Sequence, residues 1–319
     1  MFFEMLLDYI LTSVGLGITL LYGCTGEIIT EKAGHLNLGI PGVMCIGGAT
    51  GCFAIKLCQG MPPFLVIIIG IVAAILGGAL MGLIYSFLTV TLKANQNITG
   101  LAMTIFGTGL SKYIMFRMVE DNFTPYLYAV KHFRLPFSTM SNGLKYWGIM
   151  MYLGIIIAVV ASLVLSRTRV GLHLRAVGEN PATADAVGIN VTGYKYGATC
   201  IGSAIAALGG LYYIMDYMGS PEAYKSIEPL GWLSVALVIF TLWRPHLSIA
   251  GSILFGMLYL AGTKIPTLLG VNLGESTSYF LEMLPYVVTI IVLIITSIRK
   301  KRENQPPASL GLPYFREDR

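Results

Sequence analysis

The stretch GLHLRAVGENPATADAVGIN (residues 171–190) is a polar, charged interval in a chain that is otherwise almost entirely apolar. Three basic residues, Arg167, Arg169 and Arg175, lie at its leading edge. Lys and Arg accumulate in the short cytoplasmic loops of membrane proteins, and this bias orients the flanking spans. The interval is therefore predicted to be a cytoplasmic loop between two membrane helices.

The same loop carries the signals of a short helix. Asn180 suits the N-cap position because its side chain can accept from free backbone N–H groups. Pro181 suits the first helical position because it has no N–H to satisfy. Residues 182–187 continue the helix, and Gly188 can end it in the left-handed conformation. A two-turn helix is marginal alone, so it is predicted to be a docking element that something else stabilises.

The composition of the 319-residue chain indicates a polytopic membrane protein. Hydrophobic residues make up 55% of it and charged residues 12%, and the mean hydropathy is +0.73. A soluble domain carries about a quarter charged residues. The chain is therefore predicted to be an all-α membrane helical bundle. A single transmembrane domain is expected over residues 1–299, with a cytoplasmic loop at 166–194 and a cytoplasmic tail at 300–319.

Several segments approach the roughly 20 apolar residues that a membrane-spanning helix needs. The predicted spans, about nine with a range of eight to ten, are residues 5–25, 36–55, 64–92, 97–116, 146–165, 195–216, 230–243, 247–261 and 280–298. The seventh and eighth are short, so residues 230–261 form either two spans or a re-entrant pair. Nine crossings with a cytoplasmic C-terminus place the N-terminus outside.

Motifs of catalysis or metal binding are not found in the sequence. There is no GxxxxGK[ST] loop to cradle ATP phosphates and no HExxH motif. The five cysteines form no CxxC pair, and the four histidines lack metal-ligand spacing. The chain is therefore predicted to be no enzyme and to hold no cofactor or metal. If transport is driven by ATP, the ATPase must be a separate chain.

The net charge of +5 includes a basic run at residues 299–302, directly after the last predicted span. Nucleic-acid binding is one interpretation of such a run. Its position one step past a membrane helix favours a stop-transfer anchor instead, so no nucleic-acid partner is expected.

Four blocks occur in order along the chain. They are GEIITEKAGHLNLG (26–39), ANQNITGLAMTIFGTGL (94–110), LRAVGENPATADAVGI (174–189) and WLSVALVIFTLWRP (232–245). In sequence and order they resemble the permease subunits of bacterial ABC importers of the sugar, nucleoside and branched-chain amino-acid type. The nucleoside-type subunit is the most similar, although the chain departs from its pattern at Pro41 and within residues 224–232.

The resemblance implies an ABC-importer transmembrane domain whose 171–190 segment sits in a cleft of the ATPase subunit. Candidate coupling residues carried over in this way are Glu179, Asn180, Pro181, Asp185 and Gly188. Asn180, Pro181 and Gly188 would shape the helix, whereas Glu179 and Asp185 would meet basic residues of the ATPase.

The resemblance also implies the partners and the location. The expected partners are an ABC ATPase subunit that binds ATP and Mg, a second permease subunit of different sequence, and an extracellular substrate-binding lipoprotein. The expected location is the bacterial cell membrane. The loop at 117–145 either docks the binding protein or is simply a long connection.

The block at residues 26–39 is predicted to face the cytoplasm. Its charged residues Glu27, Glu31 and Lys32 would then lie near the membrane surface. The block either supports the coupling helix or forms an ordinary turn between spans.

A solute pathway has four candidate residues in the sequence. Asp216 follows a long apolar run beside Tyr213, and intramembrane acids usually face a cavity or a partner. The alternative for Asp216 is an interfacial position near the outer end of its span, where tyrosines are common. Asn97 and Thr99, near the inner end of the fourth span, are weaker candidates.

The resemblance implies that the cargo is a small polar solute, a nucleoside first and a sugar second. Aromatic rings with hydrogen-bonding groups would suit a path for such a flat polar solute. The rival class is a stand-alone secondary transporter or channel. Such a protein would carry ionisable residues deep in its spans for ion coupling. Here the span centres are nearly free of charge.

Overall fold

The computed structural model describes residues 2–121, 148–270, 277, 280–281, 283–299 and 305–315. Within these ranges every regular element is a helix, which confirms the predicted all-α fold. Residues 122–145 of the loop predicted at 117–145 lie outside the described residues, as do residues 300–304 and 316–319 of the tail.

The described part of the chain contains eleven α-helices. In chain order the α-helices are α1 Phe2–Lys32, α2 Ile40–Leu57, α3 Pro63–Ser86, α4 Gln96–Glu120, α5 Ile149–Arg167, α6 Arg169–Glu179, α7 Pro181–Ala186, α8 Val191–Tyr212, α9 Ile227–Phe240, α10 Pro245–Leu269 and α11 Leu284–Arg299. Turns of π-helix extend α3 over Phe87–Thr91 and α8 over Tyr213–Met218, and a 3₁₀ turn at Pro221–Ser226 leads into α9.

Seven helical segments of the described chain are long and apolar enough to cross a membrane. They are Phe3–Lys32, Ile40–Leu57, Pro63–Thr91, Ile149–Arg167, Val191–Met218, Pro221–Phe240 and Pro245–Leu268. The spans predicted at 97–116 and 280–298 are also helical, as α4 and α11, but α4 is less apolar and α11 is shorter. The chain is therefore a polytopic helical membrane bundle, as predicted.

The first helix is longer than the predicted span. The sequence predicted a helix to about residue 25, followed by a loop or turn, whereas α1 continues to Lys32 and only residues 33–39 form the turn. The extra turns remain helical because Ile28 is buried in the core and the charged side chains of these turns find partners inside the bundle.

The bundle has two ends. The proximal end is defined here as the one that carries α6, α7 and the turn at 33–39, and the distal end lies opposite. A helix rises about 1.5 Å per residue, so the 31 residues of α1 reach from one end to the other.

Helix α9, with the 3₁₀ turn before it, forms one membrane-length apolar segment, and α10 forms the next. Glu228, at the start of α9, lies 3.7 Å from Lys112 on α4. After α9, the indole N–H of Trp243 donates to Glu31 near the proximal end. Helix α10 then returns, and its Lys264 lies 2.6 Å from an α1 carboxylate at the distal end. Residues 230–261 therefore belong to two helices, each part of a segment that is long and apolar enough to cross a membrane.

Helices α2 and α8 form the centre of the bundle and approach each other through glycines. A Cβ added to Gly210 would lie 1.8 Å from the carbonyl oxygen of Met44, and one added to Gly47 would lie 2.2 Å from that of Ala207. Any side chain at these glycines would separate the two backbones. In a membrane no hydrophobic effect drives helices together, so they associate through close backbone packing of this kind.

Candidate functional site: the helical segment at the proximal end

The polar segment between α5 and α8 consists of two helices. The sequence predicted one short helix near residues 181–187, but residues 169–179 are also helical, as α6. Thr168 caps α6 by accepting from the N–H of Gly171 at 3.1 Å. The buried side chains of Leu174 and Val177, three residues apart, form its inner face. Thr168 and this spacing were the signals for α6 that the sequence interpretation missed.

The predicted start and stop of α7 are confirmed by its geometry. The Asn180 side chain accepts from the N–H of Thr183 at 3.0 Å, and Pro181 occupies the first helical position. The helix ends at Ala186, and Gly188 has a φ of +85°, in the left-handed region. Capping and chain reversal therefore depend on residues of the segment itself.

The segment is packed onto the end of α1 through a glycine. A Cβ added to Gly178 would lie 2.3 Å from the carbonyl oxygen of Lys32, so α6 and α1 meet backbone to backbone. On another side of α6, His173 Nδ1 lies 2.9 Å from the hydroxyl of Tyr194 on α8. Helix α6 is thus held from two directions.

The C-terminal tail is a third support, which the sequence interpretation did not foresee. Ser309 donates to the carbonyl oxygen of Gly178 from its main-chain N–H at 3.0 Å and from its hydroxyl at 2.5 Å. The hydroxyl of Tyr314 donates to Asp185 at 2.9 Å. Asp185, predicted to meet a basic group on a partner, therefore already has an acceptor role within the chain.

A small apolar cluster lies beneath α7. Ala184 of α7 is buried with Val177 and Val191, and Tyr314 packs against them. The outer face of α7 is exposed: Ala182, Thr183 and Ala186 all face away from the bundle. Val187, next to them, is 71% exposed. The two-turn helix is therefore stabilised from below and leaves a free upper face.

The predicted supporting residues divide into two groups. Lys32 does contact the segment, since its carbonyl meets Gly178 and its charge lies near that of Glu179. Glu27 and Glu31 were predicted near the membrane surface, but both are buried inside the bundle. This burial was not predicted, and its cause is that α1 remains helical through both residues.

The buried carboxyls connect α1 to two turns. Glu27 Oε1 accepts from the main-chain N–H of Asn37 at 3.1 Å, in the turn at 33–39. Glu31 accepts from the indole N–H of Trp243, in the turn between α9 and α10. These carboxyls therefore fix the layer directly beneath the α6–α7 segment.

His35 is a further buried polar residue in this layer, and its role was not predicted. Its Nδ1 lies 3.0 Å from the hydroxyl of Thr199, and its ring meets that of Tyr85 edge-on at 6.1 Å. Burial, with the nearby charges of Lys195 and Lys93, holds the pKa of His35 well below its usual range. The imidazole is therefore neutral at physiological pH.

The candidate pathway residues do not form one cluster. Asp216 and Tyr213 lie together in the π-helical turn after α8, and both are buried. Asn97 and Thr99 lie in the first turn of α4 at the proximal end, where Asn97 is exposed and Thr99 buried. The two pairs therefore lie on different elements of the described chain.

Asp216 is 5% exposed, so its side chain does not reach out to an interface. It faces the main-chain N–H of Met150, yet among the described residues neither oxygen makes a hydrogen bond of normal geometry. A Cβ at Gly148 would lie 1.9 Å from one of these oxygens. A side chain at position 148 would therefore require the Asp216 carboxyl to move.

Tyrosines surround this carboxylate. The rings of Tyr213 and Tyr217 stack with centroids 5.6 Å apart, and those of Tyr22 and Tyr212 lie 6.2 Å apart. Tyr22 and Tyr212 use their hydroxyls on main-chain carbonyls of other helices, at 2.7 and 2.9 Å. Among these rings, those of Tyr22 and Tyr212 lie within electrostatic range of Asp216. The ring of Tyr217 lies within range of a second acid, Asp8.

The two stretches in which the chain departs from the nucleoside-type pattern lie against each other. A Cβ added to Gly231 would lie 2.4 Å from the Cα of Pro41. The two departures from the nucleoside-type pattern, at Pro41 and within residues 224–232, therefore meet at one contact between α2 and α9.

The sequence matches the family described as "Branched-chain amino acid transport system / permease component" over residues 5–296. The nucleoside ABC transporter permease protein NupC of Lactococcus lactis subsp. cremoris is 30% identical over 290 residues, covering 86% of this chain and 88% of that protein. The putative glucose ABC transporter permease protein TsgC13 of Haloferax volcanii is 29% identical over 317 residues, covering 93% and 94%. The guanosine ABC transporter permease protein NupQ of Bacillus subtilis is 26% identical over 309 residues, covering 92% of each.

The family match runs almost from end to end, and the relatives are covered nearly whole. It includes the α6–α7 segment, its supports on α1 and the helix that carries Asp216. With seven membrane-length apolar helices in the described residues, the chain belongs to the permease-component family of the branched-chain amino acid transport system and is a multi-pass membrane transport subunit.

Proposed function

We propose that this chain is the permease subunit of an ATP-driven importer that moves a nucleoside into the cell. The observation that carries the coupling part of the proposal is the α6–α7 segment. A capped two-turn helix is supported by α1, by α8 and by the tail, while its outer face is left free. The packing stabilises a helix that is too short to be stable alone, and the exposed outer face is accessible to a partner subunit. This combination supports a role in transmitting the motion of that subunit to the bundle.

The motion comes from a separate ATPase subunit, which binds ATP and Mg. The ends of α7 are defined by Asn180, Pro181 and Gly188. The charge of the docking surface comes from Glu179 and Asp185. A nucleotide can shift the transporter between inward-open and outward-open states only if it binds one of them better. Because α6 contacts α1 backbone to backbone at Gly178, a displacement of α7 would also move α1.

The nucleoside cargo is supported by two relatives whose names specify nucleosides or guanosine. A sugar is the second candidate, because a glucose permease relative has nearly the same identity over a longer match. Asp216 and Tyr213 are the proposed pathway residues: a carboxylate can accept from base or ribose donors, and an aromatic face can stack on a base. Asn97 and Thr99 are proposed contacts nearer the inner mouth.

The assembly would contain a second permease subunit of different sequence and an extracellular lipoprotein that delivers the solute. Two different nucleoside ABC transporter permease proteins of Lactococcus lactis, NupC and NupB, both match this chain, which supports a heterodimer. The proximal end and the tail would face the cytoplasm of a bacterial cell, in agreement with the basic residues before α6.

The test is a pull-down of the tagged protein from native membranes in mild detergent, with mass spectrometry of proteins and bound small molecules. We expect a P-loop ATPase, a second permease and a lipoprotein that carries a nucleoside. A lipoprotein that carries a hexose would assign the sugar function. Recovery of this chain alone, able to move solute in liposomes without ATP, would overturn the proposal in favour of a secondary transporter or channel.

A further inference from the structure

A basic cavity of about 460 Å³ opens at the proximal end between α1, α5, α6 and the start of α10. Its basic side chains come from three distant parts of the sequence: Lys32, Arg175, and the pair Arg244 and His246. Glu179 is the one acid among its lining residues. Three formal positive charges against one negative charge make the cavity attractive to an anion.

The backbone adds to this attraction. Helix α10 begins at the cavity with Pro245, and its N-cap residue Arg244 makes no side-chain capping hydrogen bond. A helix N-terminus carries partial positive charge on its free N–H groups. An anion in the cavity would meet this charge together with the cationic side chains.

The cavity lies at the depth where membrane helices end. Ser162 and Ser166, which also line it, belong to the last turns of α5, and α5 and α10 are both membrane-length apolar helices. Neighbouring residues on the same two helices are apolar and exposed: Leu163 is 46% and Leu247 38% exposed. Basic pockets between transmembrane helices on the cytoplasmic side suit lipid headgroups.

We propose that this cavity binds the phosphate group of an anionic phospholipid, with the acyl chains against the exposed leucines of α5 and α10. Free phosphate presents the same group, but it would leave those leucines uncovered. A bound headgroup would link Lys32 on α1, Arg175 on α6 and the start of α10. It would therefore steady the base of the α6–α7 segment. This inference does not depend on the cargo or on the coupling role.

The test is native mass spectrometry of the purified full-length protein with phosphatidylglycerol, phosphatidylcholine or inorganic phosphate added in turn. We expect phosphatidylglycerol adducts to persist, and phosphatidylcholine adducts to be lost. The double variant Arg175→Gln, Arg244→Gln should weaken phosphatidylglycerol binding about 30-fold, on the order of fivefold for each cation removed. Arg169→Gln is the matched control, because Arg169 is exposed on the same helix outside the cavity.

A second variant separates lost binding from lost folding. Glu179→Gln removes the acid from the cavity, so it should tighten phosphatidylglycerol binding severalfold, which misfolding cannot imitate. Binding of inorganic phosphate with the same dependence on Arg175 and Arg244 would identify free phosphate as the ligand. Equal retention of both lipids, or equal loss in Arg169→Gln and the double variant, would overturn the proposal.

Discussion

Gly178 decides, at the scale of single residues, how the α6–α7 segment sits on α1. Main-chain atoms of Lys32 and Gly34 occupy the space that a side chain at 178 would need. Backbone cannot rotate away as a side chain can, so the contact tolerates no substitution without a shift of one helix. Gly148 differs, because the atoms that a Cβ there would meet belong to the side chain of Asp216.

The variant Gly178→Ala should destabilise the purified protein by about 1–3 kcal/mol, the usual cost of forced overpacking. Thermal unfolding in detergent would show this as a lower Tm. Gly197→Ala is the matched control, because nothing lies within 4 Å of a Cβ at that helical position. Alanine is the better helix former, so the control should melt at the same temperature or higher. Equal melting of the two variants would contradict the packing argument.

His35 makes a pH-dependent contribution to stability. It is buried against Thr199 and Tyr85, with Lys195 and Lys93 nearby, and its pKa is lowered in the folded state. The unfolded chain takes up the proton near pH 6.5, and the folded chain does not. The contribution is therefore complete above about pH 6.5 and declines as the pH falls below that value.

The protein should therefore be less stable at pH 5.5 than at pH 7.5. Melting curves of the wild type and of His35→Gln at both pH values would measure the difference. The variant cannot titrate at this position, so its Tm should fall less on acidification. An equal fall in the two proteins would show that other groups account for the pH dependence.

At the scale of elements, α7 depends on its ends. Gly188 has φ of +85°, which proline cannot adopt because its ring fixes φ near −65°. Gly188→Pro should therefore deform the exit from α7. Asp185→Arg removes the acceptor of the Tyr314 hydroxyl and reverses the charge of the proposed docking surface.

Both variants are expected to lower solute uptake while ATP hydrolysis and membrane insertion persist. The ratio of transport to hydrolysis should therefore fall severalfold. The ratio can be measured in proteoliposomes of the complete assembly. Gly188→Asn is the control, since asparagine tolerates the left-handed conformation. Normal uptake in both Gly188→Pro and Asp185→Arg would reject the coupling role.

The tail is an element whose contribution can be measured separately. Tyr314→Phe and Ser309→Ala each remove one side-chain hydrogen bond to the segment, at Asp185 and at the Gly178 carbonyl. A hydrogen bond contributes about 0.5–1.5 kcal/mol, so amides of α7 should exchange up to about tenfold faster. Leu312→Ala, an exposed change in the same tail, should leave exchange unchanged. Unaltered exchange in Tyr314→Phe would mean that the tail does not stabilise α7.

At the scale of the whole molecule, the central helices α2 and α8 are mostly buried, whereas α3 and α5 leave most of their lengths exposed. The exposed side chains on α3 include Phe64, Leu76 and Leu80. In a membrane such faces contact lipid or another apolar helix. The bundle therefore offers a large apolar perimeter to its surroundings, and it keeps its polar contacts at the centre and at the ends.

The orientation of the bundle can be tested with single cysteines. Leu312 lies in the tail at the proximal end, and Gly60 lies in the exposed turn between α2 and α3 at the distal end. In a Cys58→Ser background, a membrane-impermeant maleimide should label Gly60→Cys in intact spheroplasts, and Leu312→Cys only after permeabilisation. The reverse labelling pattern would show that the proximal end faces outward, against the proposed orientation.

Much of the fold was predictable because its causes are local. Hydropathy over about 20 residues identifies a spanning helix, and Asn180, Pro181 and Gly188 act within one or two turns of their own position. These signals predicted the helical bundle, its membrane location and both ends of α7. Helix α6 was predictable in principle from the Thr168 cap, although its polar composition hid it.

The sequence by itself therefore determined most of the helices, their membrane-spanning character and both ends of α7, since each depends on neighbours along the chain. The tertiary structure alone decided that Gly231 packs on Pro41, that Asp216 is buried, and that Glu27 and Glu31 lie inside. It also decided that Tyr314 holds Asp185, a contact between residues 129 positions apart. Burial and long-range hydrogen bonds depend on which helix faces reach one another in space, and no local pattern of residues encodes that.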